Sequence, residues 1–388
     1  MSDSRFVPEK EECRPMEIRS DESRGNLIGA DHADVRRDIS QPQDADSLTV
    51  AAIRVSVIIP TLNEEKMIGK CLESLAESCY PLDRFEVILV DNGSTDHTLE
   101  IARSFSTRLR LTILQRPGVN ISALRNLGAA AAEGEVLAFL DADCSIPVNW
   151  FENAVLHLAS EYAGVIGGDY EIPEDSSWVA RVWFEVGYAP KDGEVTYVPS
   201  GNMLMKSSTF RQIGGFNEAI KTSEDCELCF RAREAGFSVR LIREIAATHW
   251  STPQTLLEFY RREVWHGTHV AKVFFQNLRA MTNFWAVAFA AYMLACVAGA
   301  LIGGIQAILF HRYLILDSSV IGMFVGPFFC SIRKLRFEHG KRFWLNLLPL
   351  TLVHLAWGFA RATSLVFNRS VSPRATLQGT EDDSPSSG

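Results

Sequence analysis

The sequence is organised around the stretch Glu133-Gly-Glu-Val-Leu-Ala-Phe-Leu-Asp-Ala-Asp-Cys-Ser-Ile-Pro147. Its apolar run, Val136 to Leu140, has the length of a fully buried strand. Asp141 and Asp143 follow at spacing i, i+2, which puts both carboxylates on the same side of an extended chain. Two like charges there are unfavourable unless a cation or partner compensates them. Because Mg²⁺ is held by one or two carboxylates plus substrate phosphates, the pair indicates either a metal–phosphate site or a solvated acidic turn.

Strand-like and helix-like segments alternate from about residue 53 to residue 145. This alternation predicts right-handed βαβ units and a parallel sheet. Ligands bind outside the carboxyl ends of the strands in such sheets. We therefore expect one crevice to collect the polar residues at three strand ends: Thr61, Asn63, Glu64, Asp91, Asn92, Ser94, Asp141 and Asp143.

Four motifs follow in order along this part of the chain: Val57-Ile-Ile-Pro-Thr-Leu-Asn-Glu64, Val90-Asp-Asn-Gly-Ser-Thr-Asp96, Ala123-Leu-Arg-Asn-Leu-Gly128 and Phe139-Leu-Asp-Ala-Asp143. Together they resemble the family 2 glycosyltransferases of the GT-A fold, over roughly residues 54 to 265. The resemblance implies an α/β domain that binds a nucleotide sugar, with a Rossmann-like mixed sheet and helices on both faces.

The resemblance also implies which residues bind the donor, a UDP- or GDP-sugar. These are Pro60, Thr61, Asn63, Glu64, Asp91, Asn92, Ser94, Arg125, Asp141 and Asn202. Asp91 would accept hydrogen bonds from the base or ribose, and its alternative role is to cap a turn. Arg125 would reach the nucleotide, and its alternative is an exposed helix arginine.

A divalent cation, Mn²⁺ or Mg²⁺, is implied in the same way. Asp141 and Asp143 would hold the metal–diphosphate, with Asp143 as the more direct ligand. His249 would complete the site, since imidazole is a suitable ligand for Mn²⁺. The alternative for His249 is a structural histidine.

The resemblance places the general base in Ser223-Glu-Asp-Cys-Glu-Leu228, on Asp225 with Glu224 beside it. In an inverting transfer, one carboxylate takes the proton of the acceptor hydroxyl as it attacks the anomeric carbon. Acids at this position also suit a helix N-terminus capped by Ser223, and both interpretations can hold together.

Tyr260-Arg-Arg-Glu-Val-Trp265 resembles the Gln-x-x-Arg-Trp motif of processive polysaccharide synthases without matching it, which weakens the case for a processive enzyme. Arg261, Arg262 and Trp265 either contact the diphosphate or lie at the membrane surface.

Composition sets further limits. The 388 residues carry a formal net charge of -9. A mildly acidic chain does not favour nucleic-acid binding, which requires basic faces. The eight cysteines are scattered, which is typical of reduced thiols, and the lone Cys226-Glu-Leu-Cys229 lacks the second pair of a zinc site.

The hydrophobic residues are unevenly spread and predict four segments. Residues 1–52 are polar and expected to be disordered, residues 53–275 form the GT-A domain, residues 284–367 form a membrane region with two to three transmembrane helices, and residues 368–388 are a disordered tail.

Phe284 to Phe310 has no charged residue and is long enough to span a bilayer, and Phe343 to Phe367 is a second expected span. Tyr313 to Cys330 is either a third span or half of a buried hairpin. Asp317 and Arg361 are candidates for acceptor contact or helix pairing, and Arg361 has the alternative of snorkelling to the interface.

Basic residues flank these segments before the first one and between the second and third: Arg261, Arg262, Lys272, Arg279, Arg333, Lys334, Arg336, Lys341 and Arg342. If all three segments cross, both basic regions lie on one side. We therefore expect a multi-pass protein of the inner (plasma) membrane whose catalytic domain is cytoplasmic.

The sequence thus predicts a metal-dependent, inverting glycosyltransferase with a nucleotide-sugar donor. The membrane segments indicate a lipid-linked acceptor, such as a polyprenyl-linked saccharide of polysaccharide or glycolipid biosynthesis, with membrane lipid as a partner. The alternative is that they are an anchor with no part in acceptor choice. The alternatives are a sugar nucleotidyltransferase and a non-catalytic membrane scaffold that binds a sugar nucleotide.

Overall fold

The structure of the chain is a computed structural model that describes five stretches: residues 53–159, 164–187, 192–276, 284–336 and 340–367. The disorder predicted for residues 1–52 and 368–388, and the basic residue Arg279, lie outside the described residues.

The N-terminal domain alternates strands with helices, as the hydrophobic pattern predicts. In chain order its elements are β1 (Val55–Thr61), α1 (Ile68–Ala76), β2 (Phe85–Asp91), α2 (Thr98–Ser104), β3 (Leu111–Gln115), α3 (Ile121–Ala131), β4 (Val136–Leu140), β5 (Cys144–Ser145), α4 (Trp150–Leu158), β6 (Val165–Gly167), β7 (Tyr170–Glu171), α5 (Trp178–Arg181), a π-helix (Val182–Gly187), β8 (Gly193–Glu194), β9 (Asn202–Lys206), α6 (Ser207–Gln212), α7 (Glu224–Glu234), β10 (Val239–Leu241) and β11 (Ala247–His249).

Helices follow β11 in the described stretches. They are α8 (Leu256–His266), α9 (Val270–Gln276), α10 (Phe284–Phe310), α11 (Leu314–Leu335) and α12 (Lys341–Val366).

The main sheet has eight strands in the order β3-β2-β1-β4-β9-β6-β10-β8. The half formed by β3, β2, β1 and β4 is parallel, as expected for βαβ units. β9 runs antiparallel between β4 and β6, so the sheet as a whole is mixed. A second sheet, β5-β11-β7, lies beyond the end of β4 and carries His249. The Rossmann-like mixed sheet predicted for the domain is confirmed.

Both faces of the sheet are covered, because alternate residues of each central strand enter different cores. In β1, Val57 and Ile59 belong to one hydrophobic cluster and Ile58 belongs to the other. The first cluster includes Leu72 of α1 and the second includes Leu124 of α3. With period-two alternation, neighbouring side chains point to opposite faces, so the strands read as continuous apolar runs. The polar strand ends are therefore the part of each strand that is available for a site.

The C-terminal helices α10, α11 and α12 are each long and apolar enough to cross a membrane, with 27, 22 and 26 residues. Most of α11 is exposed in the structure, which does not match a buried hairpin. Asp317 is exposed in the first turn of α11, so the structure does not pair it with another helix. Arg361 lies on α12 and pairs with Glu263 of α8, which is the helix-pairing role.

The cysteine prediction is partly wrong. Cys79 is disulfide-bonded, whereas six other cysteines of the described stretches are free thiols: Cys71, Cys144, Cys226, Cys229, Cys296 and Cys330.

Candidate active site

The Asp141-Ala-Asp143 pair lies at the carboxyl end of β4, near the centre of the main sheet. The backbone leading into β9 passes beside it, and the Asp141 amide donates to the Gly201 carbonyl at 3.0 Å. A Cβ on Gly201 would overlap both the Asp141 carboxylate and the Tyr170 hydroxyl, so only glycine allows this approach. The acidic pair is therefore held against the second half of the domain.

Arg125 of α3 connects the acids of the two halves. Its Nη2 donates to Asp141 Oδ1 and its Nη1 donates to Glu224 Oε1, both at 2.8 Å. The side chain is only 1% exposed, so the alternative of an exposed helix arginine is wrong. Both terminal nitrogens bind protein carboxylates, and the guanidinium lies 5.4 Å from the centre of the Phe216 ring. In this structure Arg125 stabilises the site by binding the Asp141 and Glu224 carboxylates.

The pKa of the Asp141 carboxyl reflects this position. Burial raises it above its usual value, and the nearby Asp143 charge raises it further, while the Arg125 charge opposes both effects. Arg125 therefore helps to keep Asp141 ionised beside a second carboxylate.

The acids Glu224 and Asp225 begin helix α7. Glu224 Oε1 accepts from Arg125 and from Ser200 Oγ, the latter at 3.0 Å. Asp225 Oδ1 accepts from the Cys226 amide at 2.7 Å. Burial, with the Glu224 charge, raises the pKa of Asp225 to about 7. A carboxylate with a pKa near the working pH is suited to general base catalysis.

Ser223 does not cap α7 in the predicted way. It occupies the N-cap position, but its side chain makes no capping hydrogen bond, and its backbone is left-handed with φ of 63°. A non-glycine residue in this region is strained, and such strain persists where the surrounding structure requires it. Here the strained turn directly precedes the two acids.

Asp143 faces His249 across the gap between the two sheets. His249 Nε2 lies 3.8 Å from Asp143 Oδ2, and Arg262 of α8 donates to the same Nε2 at 3.2 Å. Arg262 also donates to the Ser251 carbonyl at 2.7 Å. Of the two positions left open for Arg262, the structure therefore places it at the site. Arg261, one residue earlier, is exposed.

The residues around Asp143 have donor atoms that suit a divalent cation. Burial lowers the pKa of His249, against the nearby Asp143 charge, which favours the neutral ring that metal ligation requires. Because Nε2 accepts from Arg262 in this structure, ligation through Nε2 would require that hydrogen bond to be released. His249 Nδ1 is buried without a hydrogen-bond partner in the part of the chain that the structure describes. No three His, Cys, Asp or Glu of that part enclose an ion by themselves. Carboxylates and an imidazole that leave positions for substrate phosphates fit Mn²⁺ or Mg²⁺.

The Asp91 loop follows β2. The Asp91 side chain is fully buried, and it accepts hydrogen bonds from the Gly93 amide at 2.9 Å and from the Ser94 amide and hydroxyl. This is the turn-capping role. A direct contact with a base would require one of these bonds to be exchanged.

Two other polar residues predicted to bind the nucleotide sugar, Asn63 and Asn92, link neighbouring loops. Asn63 has a left-handed φ of 53°, accepts from the Thr95 amide at 2.9 Å, and its own amide donates to Ser94 Oγ. Asn92 exchanges two hydrogen bonds with the backbone of Val119. The strand ends are thus brought together as predicted, and their side chains rigidify the crevice.

Four of the residues predicted to bind the nucleotide sugar are buried inside the domain: Pro60, Thr61, Glu64 and Asn202. Thr61 Oγ1 donates to the Ile59 carbonyl, and the Glu64 amide donates to Thr98 Oγ1. Asn202 is fully buried and binds Trp150 Nε1 and the Ile245 carbonyl. The structure does not bring the Asn202 side chain to the crevice.

Sequence reasoning missed two contributors to the site. Ser200 donates to Glu224 Oε1, and it lies two residues before the predicted donor-binding residue Asn202. Phe184 lies beside the His249 ring, with centroids 6.2 Å apart, on the π-helix between α5 and β8. A short π-helix often marks a functional site, but no residue pattern in the sequence indicates one.

Fold and site together define a class. A Rossmann-like mixed sheet carries an Asp-x-Asp pair at its central strand end, and a second acidic pair faces it from a helix N-terminus. These are the features of a GT-A domain.

Comparison with known proteins identifies the family. Residues 56–214 match the family model described as "Glycosyl transferase family 2", and residues 136–359 match "Glycosyl transferase family group 2". The chain belongs to the family 2 glycosyltransferases.

Two relatives illustrate the similarity. Glycosyltransferase AglE of Haloferax volcanii is 32% identical over 205 residues, which are 51% of this chain and 67% of that protein. The probable glycosyltransferase YdaM of Bacillus subtilis is 28% identical over 226 residues, which are 54% of this chain and 53% of that protein. The chain spans about half to two thirds of the length of these relatives.

A solved structure shares the fold. The mannosyltransferase PcManGT from Pyrobaculum calidifontis, in complex with GDP-Man and Mn²⁺, aligns with a TM-score of 0.55 at 17% sequence identity. The alignment covers 82% of this chain and 88% of that one.

Proposed function

We propose that the chain is a membrane-bound, inverting glycosyltransferase that moves a sugar from a nucleotide sugar to an acceptor. One observation carries the proposal: the Arg125 bridge. A single buried guanidinium joins the Asp141 end of the donor half to Glu224, the neighbour of Asp225, in the other half. This bridge supports the proposal, because it joins the Asp141 end, where we propose the metal and diphosphate to bind, to the neighbour of the carboxylate that we propose as the base.

The chemistry assigned to Asp225 is general base catalysis. Its carboxylate takes the proton of the acceptor hydroxyl while the acceptor oxygen bonds to the anomeric carbon. The bond from that carbon to the diphosphate oxygen breaks, and the nucleoside diphosphate leaves. Glu224 is held by Arg125 and Ser200, so it positions α7 and its charge helps to raise the pKa of Asp225 to about 7.

We further propose that Asp143, Asp141 and His249 hold a divalent cation at the diphosphate. Bound there, Mn²⁺ or Mg²⁺ offsets the charge that gathers on the leaving group. Arg262 supplies a fixed positive charge at the same end of the crevice, which suits a diphosphate contact. The Mn²⁺ and GDP-Man of the structurally similar mannosyltransferase support this assignment and a nucleoside-diphosphate sugar as donor.

The membrane assignments belong to the same proposal. Residues 53–275 form the catalytic domain, and α10, α11 and α12 cross the inner membrane. Basic residues between α11 and α12 then put the catalytic domain on the cytoplasmic face. Because the domain is held at the bilayer, a lipid-linked acceptor such as a polyprenyl-linked saccharide suits it best.

The test is a panel of nucleotide sugars, supplied to native membranes that contain the chain, with Mn²⁺, Mg²⁺ or EDTA and lipid extract as acceptor source. We expect metal-dependent release of a nucleoside diphosphate from one donor, and its loss in Asp143→Ala. Release of pyrophosphate from a nucleoside triphosphate and a sugar phosphate would instead indicate a nucleotidyltransferase. No turnover of any donor would favour the non-catalytic scaffold.

A further inference from the structure

Helix α8 lies between the proposed diphosphate end of the site and the membrane helix α12. Arg361 of α12 donates through Nη2 to Glu263 Oε2 at 2.6 Å and through Nη1 to the Glu263 carbonyl at 3.0 Å. The side chains are 12% and 7% exposed, so the pair is almost completely removed from solvent. A buried pair of this kind contributes little net stability compared with apolar packing, but removing one partner leaves an uncompensated charge.

Two further contacts fix the position of α8 along α12. Tyr260 Oη and Thr363 Oγ1 are 2.8 Å apart. At the end of α8, a Cβ on Gly267 would overlap the Ser364 side chain, so the two backbones approach closely there. Tyr260, Glu263 and Gly267 are spaced three and four residues apart and therefore share one face of α8.

The residue next to Glu263 reaches the site. Arg262 contacts His249 Nε2 at 3.2 Å and is also held by His266, with Nε donating to His266 Nε2 at 3.3 Å. Burial, with the Arg262 charge, lowers the pKa of His266, so its ring is a neutral acceptor. The Arg262 guanidinium is therefore held on its own helix by His266 and from outside the helix by the Ser251 carbonyl, and its backbone position relative to His249 depends on where α8 lies.

Aromatic contacts make a second connection between α12 and His249. Trp357 of α12 lies beside Trp183 of the π-helix, with ring centroids 6.5 Å apart, and Trp183 contacts Phe259 of α8 at 5.0 Å. The neighbouring Phe184 contacts the His249 ring. α12 is thus connected to the same histidine through two separate elements.

We propose that α12 is part of the active-site frame and that Arg361 is a positioning residue for the transfer reaction. Through Glu263, it holds α8 at the place where Arg262 meets His249 and the diphosphate. The membrane helix then acts in donor binding as well as in anchoring. This inference rests on the proposed function, because it takes the diphosphate of a nucleotide sugar as the ligand that Arg262 contacts.

The experiment compares the full chain, purified in detergent, with its Arg361→Gln, Glu263→Gln and double variants. Equilibrium binding of radiolabelled GDP and UDP is measured with Mn²⁺, together with KM and kcat for the donor that the panel identifies. We expect each single variant to bind the nucleotide roughly 3- to 30-fold more weakly, with KM raised by a similar factor. The double variant should be no weaker than the singles, because the two residues act as one unit.

Ser331→Ala is the matched control. Ser331 of α11 is buried against His354 of α12, with Oγ and Nδ1 2.8 Å apart, and this polar contact between two apolar helices does not involve α8. We expect its nucleotide affinity and KM to equal those of the unmodified chain. Arg361→Lys, which keeps the charge opposite Glu263, should recover part of the lost affinity.

The outcomes separate this inference from the proposed function. Unchanged nucleotide affinity and KM in Arg361→Gln, in a chain that itself binds nucleotide, would overturn the inference alone. A fall in kcat and folded fraction at constant affinity would also overturn it, since that is the mark of a merely structural ion pair. If the unmodified chain bound neither GDP nor UDP, both the proposed function and this inference would fail.

Discussion

The Asp91 loop and the start of α7 both carry an aspartate at the crevice, but the protein uses the two carboxylates in opposite ways. Asp91 is fully buried, and the amides and hydroxyl of its own loop occupy its oxygens. Asp225 has one backbone bond, from Cys226, and a pKa raised to about 7 by burial and by Glu224. A carboxylate that is fully hydrogen-bonded stabilises a loop, whereas one that is left short of partners can exchange a proton.

The largest effect is expected from Asp225→Asn. The asparagine amide cannot take the proton from the hydroxyl of the acceptor substrate. The rate of sugar transfer should therefore fall roughly 10²- to 10⁴-fold, which is the range for a lost general base. Binding of the nucleotide sugar should stay nearly intact, since the residues that we propose to bind the diphosphate are unchanged. Initial rates measure sugar transfer, and equilibrium binding of the nucleotide to the same preparation measures donor affinity.

Asp175→Asn, at an exposed position, is the control for adding an amide and should leave both rate and binding unchanged. If Asp225→Asn lost donor binding together with transfer, Asp225 would be a binding or structural residue, and the contrast with Asp91 would disappear.

Arg125→Met tests the bridge between the two halves. It leaves the partly buried Asp141 and the buried Glu224 without their shared counter-charge, which should lower the free energy of unfolding by about 3–5 kcal/mol. Thermal or denaturant unfolding of the purified chain measures this loss. Arg103→Met, on the exposed side of α2, is the matched control. Equal losses of unfolding free energy in the two variants would contradict a stabilising role for the Arg125 bridge.

Asp91→Asn sharpens the comparison from the other side. The asparagine keeps one acceptor oxygen and puts an amide where the loop already presents donors, so we expect a loss of about 1–3 kcal/mol in stability. Ser94→Ala should lower stability in the same direction by removing the hydroxyl donor. A normal stability with a strongly raised donor KM in Asp91→Asn would show that Asp91 contacts the nucleotide, contrary to the capping role.

The mildest perturbation is a change of pH, because it leaves every residue of the chain unmodified. The folded pKa of Asp225 is raised, so the basic form is present above pH 7 and is lost as the pH falls through about 7. Transfer should therefore decline about tenfold per pH unit below that point, at saturating donor. A rate that stays constant down to the ordinary pKa of an aspartate would contradict the assignment of the base.

Much of the fold could be predicted from the sequence, because β4 is a continuous apolar run, and β1 and β2 are apolar but for one polar residue each before they end at polar turns. The same pattern placed Asp141 and Asp143 at a strand end, where the structure has them. Arg125 could not be placed in the same way. Nothing in its helix shows that the side chain turns inward to meet a carboxylate 99 residues further along the chain.

Long-range contacts also explain the other differences. Asn202 was expected to face the donor, but its amide is used by Trp150 and by the Ile245 carbonyl, which the tertiary fold brings together. The role of Arg361 was left open, since an arginine in an apolar segment can pair or snorkel. Its partner Glu263 lies 98 residues away and becomes visible only when α8 packs on α12.

The most direct test of the proposed mechanism is the anomeric configuration of the product. Once the donor is known, NMR of the transferred sugar reports whether its anomeric carbon has inverted. A single displacement assisted by Asp225 predicts a linkage opposite in configuration to that of the donor. A product with the configuration of the donor would contradict direct attack by an acceptor that Asp225 deprotonates.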